Sequence, residues 1–384
     1  HSQMSPPLDF LEGKTRRLGS LKLNIQGETE ITVEVLDQLR LPHVFEYLPL
    51  ETSDHAKTYI RCMNVRGAPL IANVGLFGLA KECKRQLSTG AWTGDFLGNI
   101  KREAKELIAT RPTAVNLRNA LDKLLMVLEE ASDKDDANIT SAVFRFAIDL
   151  YDREQGDNRQ LCWNGVQEVR SRPSHDPAGY TVMTICNTGM LATTSWGTAL
   201  GIVYGLHAVG SLKHVICLET RPYNQGSRLS AAELQAQGLP YTLVTDSMAA
   251  SAILHFKVDV VIVGADQVAL NGDTANKIGT FNLATVANAL NVQFIVALPH
   301  ETFSDSSRTG ADIVIEERPA NEFRKFNGAW ICNEETPVWN PAFDVTPARL
   351  IDSYVTERGA YSAEELRELR ESQTLPSSAS SLPH

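Results

Sequence analysis

Val258-Asp259-Val260-Val261-Ile262-Val263-Gly264-Ala265-Asp266 sets four β-branched apolar residues in succession, then a small turn, then a carboxylate. A strand apolar on both faces is buried on both sides, as in a parallel sheet covered by helices. Outward from it, similar short runs occur at 180–185, 214–218, 241–244, 293–297 and 312–315. Helical patterns lie between them at 195–209, 230–236, 248–256 and 275–290. Six such strands alternating with helices predict an α/β fold with a doubly wound, Rossmann-like parallel sheet. Ligands of such sheets lie beyond the carboxyl ends of the strands, where the strand order reverses.

Upstream the texture is helical. Apolar residues recur at three- and four-residue spacing in 104–108, 114–130 and 141–152. Arg66-Gly67-Ala68-Pro69 precedes an apolar run over 70–84, and Pro69 suits a first helical position. The expected organisation is a smaller, mainly helical N-terminal domain over 16–164 and a Rossmann-like catalytic domain over 165–370. Residues 1–3, before Met4, read as a tag remnant within a lead-in of 1–15, and the Ser/Pro-rich 371–384 reads as a flexible tail. The charged stretch 131–138 reads as a surface loop.

Acidic residues outnumber basic ones 46 to 36, a net charge of −10 that opposes non-specific nucleic-acid binding but permits a local cationic pocket. No run of about 18 apolar residues is present for a membrane span, and no charged-then-apolar signal pattern opens the sequence. Cys62, Cys83, Cys162, Cys186, Cys217 and Cys332 are scattered, with no C-x-x-C pair. They form neither a disulfide framework nor a zinc ribbon, and fit a reducing compartment: the cytoplasm, compatible with a nuclear pool. No H-x-x-x-H spacing supports a metal.

The strand ends carry the chemistry. They read Ile185-Cys186-Asn187-Thr188-Gly189, then Glu219-Thr220-Arg221-Pro222-Tyr223-Asn224-Gln225-Gly226-Ser227-Arg228, then Thr245-Asp246-Ser247, then Gly264-Ala265-Asp266 with Asn271-Gly272-Asp273-Thr274-Ala275-Asn276-Lys277. In a doubly wound sheet these loops open on one rim. Cys186 sits where a strand meets a turn and then a helix, a setting that activates thiols and attracts anions; the bland alternative is a small core hydrophobe. Asp266, just past an apolar strand, is expected to be desolvated and therefore protonated further up the pH scale; the bland alternative is a cap. Arg221, Arg228 and Lys277, with Arg66 and Arg111, offer a phosphate pocket, although any one alone reads as a surface charge. Asn276 and Lys277 are expected in the first turn of a helix. Neither G-x-G-x-x-G after the first strand nor G-x-x-x-x-G-K-[ST] occurs, so dinucleotide and P-loop chemistry lack support.

Together with Val65-Arg66-Gly67-Ala68-Pro69, Arg111-Pro112-Thr113-Ala114-Val115-Asn116 and Trp339-Asn340-Pro341-Ala342-Phe343-Asp344-Val345-Thr346-Pro347, these motifs resemble the methylthioribose-1-phosphate isomerase family over about 35–368. The resemblance implies Cys186 and Asp266 as the catalytic pair. It implies Arg66, Gly67, Ala68, Arg111, Gln225, Asn276 and Lys277 as substrate-binding positions. It further implies a small phosphorylated sugar substrate, an aldose–ketose isomerisation in methionine salvage, a homodimer, and neither metal nor organic cofactor. Two relatives give alternatives. A ribose-1,5-bisphosphate-type isomerase would keep the Cys and Asp pair but add a second phosphate site. A regulatory subunit of the translation initiation exchange factor would be non-catalytic. The stretches 132–138 and 155–164 depart from the family pattern.

Overall fold

The computed structural model describes residues 5–7, 10–11, 18–92, 94–130 and 135–374, the last four by backbone alone. Residues 1–3, 131–134 and 375–384, on which the remnant expectation and parts of the loop and tail expectations fall, lie outside the described residues. The described parts of the loop and tail are corrected: 136–138 belong to a helix over Asp136–Arg170, and 371–374 to one over Ala363–Thr374.

The chain begins with an antiparallel sheet, β1 (Leu21–Ile25), β2 (Ile31–Leu36) and β3 (Tyr47–Pro49). Ile31, Val33 and Val35 alternate inward along β2, which is the period-two pattern of a half-buried strand. Five helices follow: α1 (Ser53–Arg61), α2 (Ala68–Thr89), α3 (Phe96–Ile108), α4 (Val115–Glu130) and α5 (Asp136–Arg170). Thr52, Asp95 and Asp135 cap α1, α3 and α5 by accepting main-chain N–H groups of the first turn. One apolar core joins this sheet, α1 to α4 and the first half of α5. α5 runs unbroken through position 165, and Leu161, Cys162 and Val166 of its second half lie in a different core.

That second core belongs to the large sheet. The elements are β4 (Tyr180–Thr184), α6 (Ala199–Ala208), β5 (Leu212–Leu218), α7 (Ala231–Ala236), β6 (Tyr241–Val244), α8 (Ala249–Phe256), β7 (Val260–Val263), β8 (Gln267–Val268), β9 (Thr274–Lys277), α9 (Thr280–Ala289), β10 (Gln293–Ala297), α10 (Ala320–Arg324), β11 (Lys325–Phe326), β12 (Ala329–Trp330), β13 (Phe343–Thr346), β14 (Ser353–Thr356), β15 (Gly359–Tyr361) and α11 (Ala363–Thr374). Seven strands pair in the order β15-β14-β10-β7-β4-β5-β6, parallel throughout except at β14–β15. Val260 and Ile262 face the core shared with α5 and α6, while Val261 and Val263 face the core shared with α8 and α9. Burial on both faces explains why this strand is uninterruptedly apolar.

Two further expectations are corrected. Residues 312–315 form no strand: Gly310–Asp312 is a 3-10 turn closed by a Thr309–Asp312 capping box, and the sixth parallel strand is β14. Its sequence, Ser353-Tyr354-Val355-Thr356, is half polar and carries a weaker strand pattern than 312–315. Asn276 and Lys277 lie on β9, paired between β8 and β13, rather than in a helical turn. Among the described residues, no helix is long and apolar enough to cross a membrane.

Candidate active site

Strand order reverses between β4 and β7, which opens a crevice above their carboxyl ends. Val182 stands opposite Val260, and Met183 opposite Val261. Cys186 follows β4 by two residues and Asp266 follows β7 by three, so both leave the carboxyl ends of adjacent parallel strands.

Cys186 is 5% exposed, at φ +66°. Its N–H donates to Thr220 Oγ1 at 2.8 Å, and its carbonyl accepts from Ser230 Oγ at 2.6 Å. The loop after β5 therefore holds the cysteine by both main-chain groups. Thr220 is itself at φ +65°, an uncommon conformation for a β-branched residue that the surroundings must enforce. Asp246 does so by accepting the N–H groups of Thr220 and Arg221 at 2.8 and 2.7 Å. Arg66 donates Nη1 to Asn187 Oδ1 at 2.6 Å and Nη2 to the Asn187 carbonyl, and Nη2 lies 3.8 Å from Cys186 Sγ. A fixed positive charge thus sits beside the sulfur.

Gly67, at φ +103°, starts α2; a Cβ there would stand 2.4 Å from the Ala192 carbonyl oxygen, so only glycine fits. Pro69 has no N–H, and that of Leu70 goes to Ala192. The N–H groups of Gly67 and Ala68 are what this helix start can offer an anion.

Asp266 is fixed through its backbone: its N–H donates to Ala275 of β9 at 2.9 Å, and its carbonyl accepts from Val115, the first residue of α4, at 3.1 Å. Burial pushes its carboxyl above the ordinary aspartate range, against the pull of Lys277, Arg111 and Arg66. Burial pushes the Lys277 ammonium down, with Cys186 and Asp266 opposing and Arg111 reinforcing. Lys277 and Arg111 share the ring of Phe343, at 4.5 and 5.6 Å from its centroid. Arg111 also donates to Glu316 at 2.7 Å, and Glu316 is held on its other oxygen by Arg318 at 2.8 Å. Asn276 donates to Thr280 Oγ1 at 3.0 Å. Gln225 is fully buried, yet neither atom of its amide has a partner among the described residues.

The crevice therefore gathers Cys186, Asp266, Arg66, Arg111 and Lys277, with Gly67 and Ala68 where α2 begins. Arg221 and Arg228 give donors to main-chain carbonyls, and Arg228 lies near enough to Arg66 for the two charges to oppose each other. Arg221 donates to the Phe323 carbonyl at 2.9 Å, and Arg228 to those of Tyr223 and Gln38 at 3.1 and 2.8 Å. These planar donors tie loops together. Sequence reading missed Glu316 and Phe343. Glu316 follows the misread strand 312–315, and Phe343 sits inside a motif quoted without a role; only their nearness to Arg111 reveals them.

Fold and crevice define the class: an open parallel α/β sheet with a thiol, a desolvated carboxyl and cations at its switch point. Residues 64–363 match the initiation factor 2 subunit family. Methylthioribose-1-phosphate isomerase of Caenorhabditis briggsae is 46% identical over 363 residues, covering 94% of this chain and 95% of that one. The protein of the same name from Neosartorya fischeri is 43% identical over 351 residues, covering 85% and 90%. The crystal structure of 5-methylthioribose 1-phosphate isomerase from Pyrococcus horikoshii OT3 superposes with a TM-score of 0.77 at 33% identity, covering 93% and 96%. That of the translation initiation factor eIF-2B subunit delta from A. fulgidus does so at 0.72 and 33%, covering 92% and 99%. The chain belongs to the initiation factor 2 subunit family and, within it, to the methylthioribose-1-phosphate isomerases.

Proposed function

We propose that this chain converts 5-methylthioribose 1-phosphate to 5-methylthioribulose 1-phosphate, an aldose–ketose isomerisation of methionine salvage. The observation that carries the reading is the meeting of Cys186, Asp266, Arg66, Arg111 and Lys277 at one reversal of strand order.

The substrate's anomeric oxygen is esterified to phosphate, so its ring cannot open through a free anomeric hydroxyl. The ring oxygen must take a proton as its bond to C1 breaks. Asp266, kept protonated further up the pH scale by burial, is the acid. The bonding pair leaves with the ring oxygen, which becomes the C4 hydroxyl, and C1 is left electron-poor. Hydrogen then moves from C2 to C1 by one of two routes. In the first, Cys186 takes the C2 proton; a proton then returns at C1 as the C2 hydroxyl loses its own. In the second, hydride crosses directly while Cys186 takes the C2 hydroxyl proton. Either route leaves a C2 ketone and a C1 methylene, balanced in protons and electrons within the substrate, so no electron carrier is required. Turnover in D2O separates the routes: deuterium enters C1 by the first and stays out by the second.

Arg66, Arg111, Lys277 and the N–H groups of Gly67 and Ala68 hold the phosphate, whose binding energy positions the reacting carbons. Gln225 and Asn276 address the sugar hydroxyls; for Gln225 this supplies the partners its buried amide otherwise lacks. The proposal also takes 16–164 and the doubly wound 165–370 as two domains, a homodimer as the working unit, and the cytoplasm, with a nuclear pool, as the place of action. Limited proteolysis, sedimentation and imaging of a tagged chain check these in turn.

The decisive experiment is turnover of 5-methylthioribose 1-phosphate by purified protein without added cofactor. Cys186→Ser and Asp266→Asn should each lower kcat about a thousandfold while the far-UV circular dichroism stays unchanged. No turnover by the unaltered protein overturns the function; near-normal turnover by both variants overturns the site.

A further inference from the structure

Glu233, on α7, takes part in none of these steps, yet it is completely buried. Its Oε1 accepts from Asn187 Nδ2 at 2.8 Å and Leu191 N–H at 3.0 Å; its Oε2 accepts from Met190 N–H at 2.8 Å and Tyr204 O–H at 2.6 Å. Four donors on two oxygens are the complement of a carboxylate. Three of them come from residues 187–191, the turn that leads the chain away from Cys186. A Cβ on Gly189 would stand 2.2 Å from Glu233 Oε2, so the turn wraps the carboxylate with no room for a side chain.

Asn187 is the link to the site. Its amide has one donating and one accepting end: the first goes to Glu233 and, at 3.2 Å, to Ser230 Oγ, and the second accepts from Arg66 at 2.6 Å. An acceptor fixed at Glu233 leaves the amide one orientation, with its oxygen toward Arg66. We infer that Glu233 is a positioning residue: by orienting the Asn187 amide and the 187–191 turn, it holds the Arg66 guanidinium against Cys186 Sγ. The kinetic consequence rests on the isomerase reading; the geometric one does not.

Glutamine cannot replace this carboxylate. Whichever way its amide lies, its NH2 faces a main-chain N–H, that of Met190 or that of Leu191. When the NH2 faces Leu191 it also faces Asn187, whose amide must turn over and present its own NH2 to Arg66; when it faces Met190, the bond that closes the 187–191 turn is lost and the turn carries Asn187 away from Arg66. Reversing the polarity of the link repairs it: in Glu233→Gln/Asn187→Asp, the new amide donates to the new carboxylate, which still accepts Arg66.

The test measures kcat/KM for three variants and solves crystal structures of the first two. Glu233→Gln should lose about a hundredfold, the cost of a misplaced catalytic group, and the double variant should regain about tenfold or more of that. Tyr204→Phe, which keeps the Asn187, Met190 and Leu191 donors in place, should stay within about threefold of the unaltered protein, because the link from Glu233 to Asn187 is untouched. Crystals of Glu233→Gln should show Arg66 parted from Asn187, and crystals of the double variant should show it restored at position 187. A folded double variant no more active than Glu233→Gln, or Arg66 unmoved in Glu233→Gln, overturns the inference. Should Glu233→Gln not fold, the crystal of the double variant decides, and Arg66 away from position 187 there overturns it. Should the unaltered protein not turn over methylthioribose 1-phosphate, the isomerase reading falls, and the crystals still judge Glu233.

Discussion

Asp266 ends an apolar strand but feels three cations, and its protonation is the balance between them. Burial raises its pKa, Lys277, Arg111 and Arg66 lower it, and Glu316 raises it. As the proposed acid it works while protonated, so kcat/KM falls as pH rises through that pKa. Lys277→Met removes the strongest lowering charge and should move this alkaline limb up by roughly one unit; Glu316→Gln removes a raising charge and should move it down, by less. The height of the profile falls in the first variant through lost phosphate binding, but the limb's position is independent of height. Limbs that do not move apart in opposite directions would remove Asp266 as the acid. The positions of Cys186 and Asp266 just past the carboxyl ends of β4 and β7 were legible, because strand-forming runs precede both. What Arg221 and Arg228 hold was not legible, because an arginine's partner is chosen by tertiary neighbours, here the carbonyls of Phe323, Tyr223 and Gln38.

At the scale of elements, α5 is the member that joins the two cores, and its contacts are close. A Cβ on Gly201 of α6 would stand 2.5 Å from Cys162 Sγ of α5. Gly201→Ala should therefore cost about 1–3 kcal/mol by overpacking. Adding Cys162→Ala should return part of it, a coupling that urea titration of the single and double variants measures. Further along α5, Glu154 accepts from Asn73 of α2 at 2.6 Å and from the Thr194 N–H and hydroxyl at 3.0 and 2.8 Å. Burial pushes its carboxyl from the ordinary 4.5 up to about 6, despite these donors. An acid whose folded-state pKa is raised binds protons more tightly when folded. Its stabilising contribution is complete below the unfolded value and is lost as pH rises through 6. The loss should be about 2 kcal/mol. Glu154→Gln should remove that part of the stability difference between pH 4.5 and pH 7.5, and an unchanged difference would refute the assignment. β7 was legible because two-sided burial makes it uniformly apolar, and β4, β5, β6 and β10 because their β-branched and apolar residues cluster between helical patterns. β1 to β3 were not: β2 alternates, but β1 is mostly exposed and β3 is short with no buried residue, and β14 was passed over for the more apolar 312–315.

Across the whole molecule the crevice is assembled from distant parts. Arg66 and Gly67 come from the start of α2, Arg111 precedes α4, and Cys186, Asp266 and Lys277 belong to the sheet half. The segment after Gly310–Asp312 straps them together: Thr113 Oγ1 donates to the Val314 carbonyl at 2.7 Å and accepts from Glu316 N–H at 3.1 Å, while Arg111 pairs with Glu316. No local pattern encodes that strap, because its bonds join residues some two hundred positions apart. A phosphorylated ligand gripped by both halves adds one more such link and should stabilise them together. With 5-methylthioribulose 1-phosphate at a hundred times its Kd, the gain is about 2.7 kcal/mol, which for a chain of this size raises the melting midpoint by about 4 °C. Calorimetry should show one transition moving as a whole, because α5 and the strap couple the cores. Arg111→Ala, which removes a guanidinium proposed to bind the phosphate and releases Glu316, should lose most of the shift at the same ligand concentration. Two transitions, of which the ligand moves only one, would mean that the phosphate is held by a single half and that the crevice is not the shared site described.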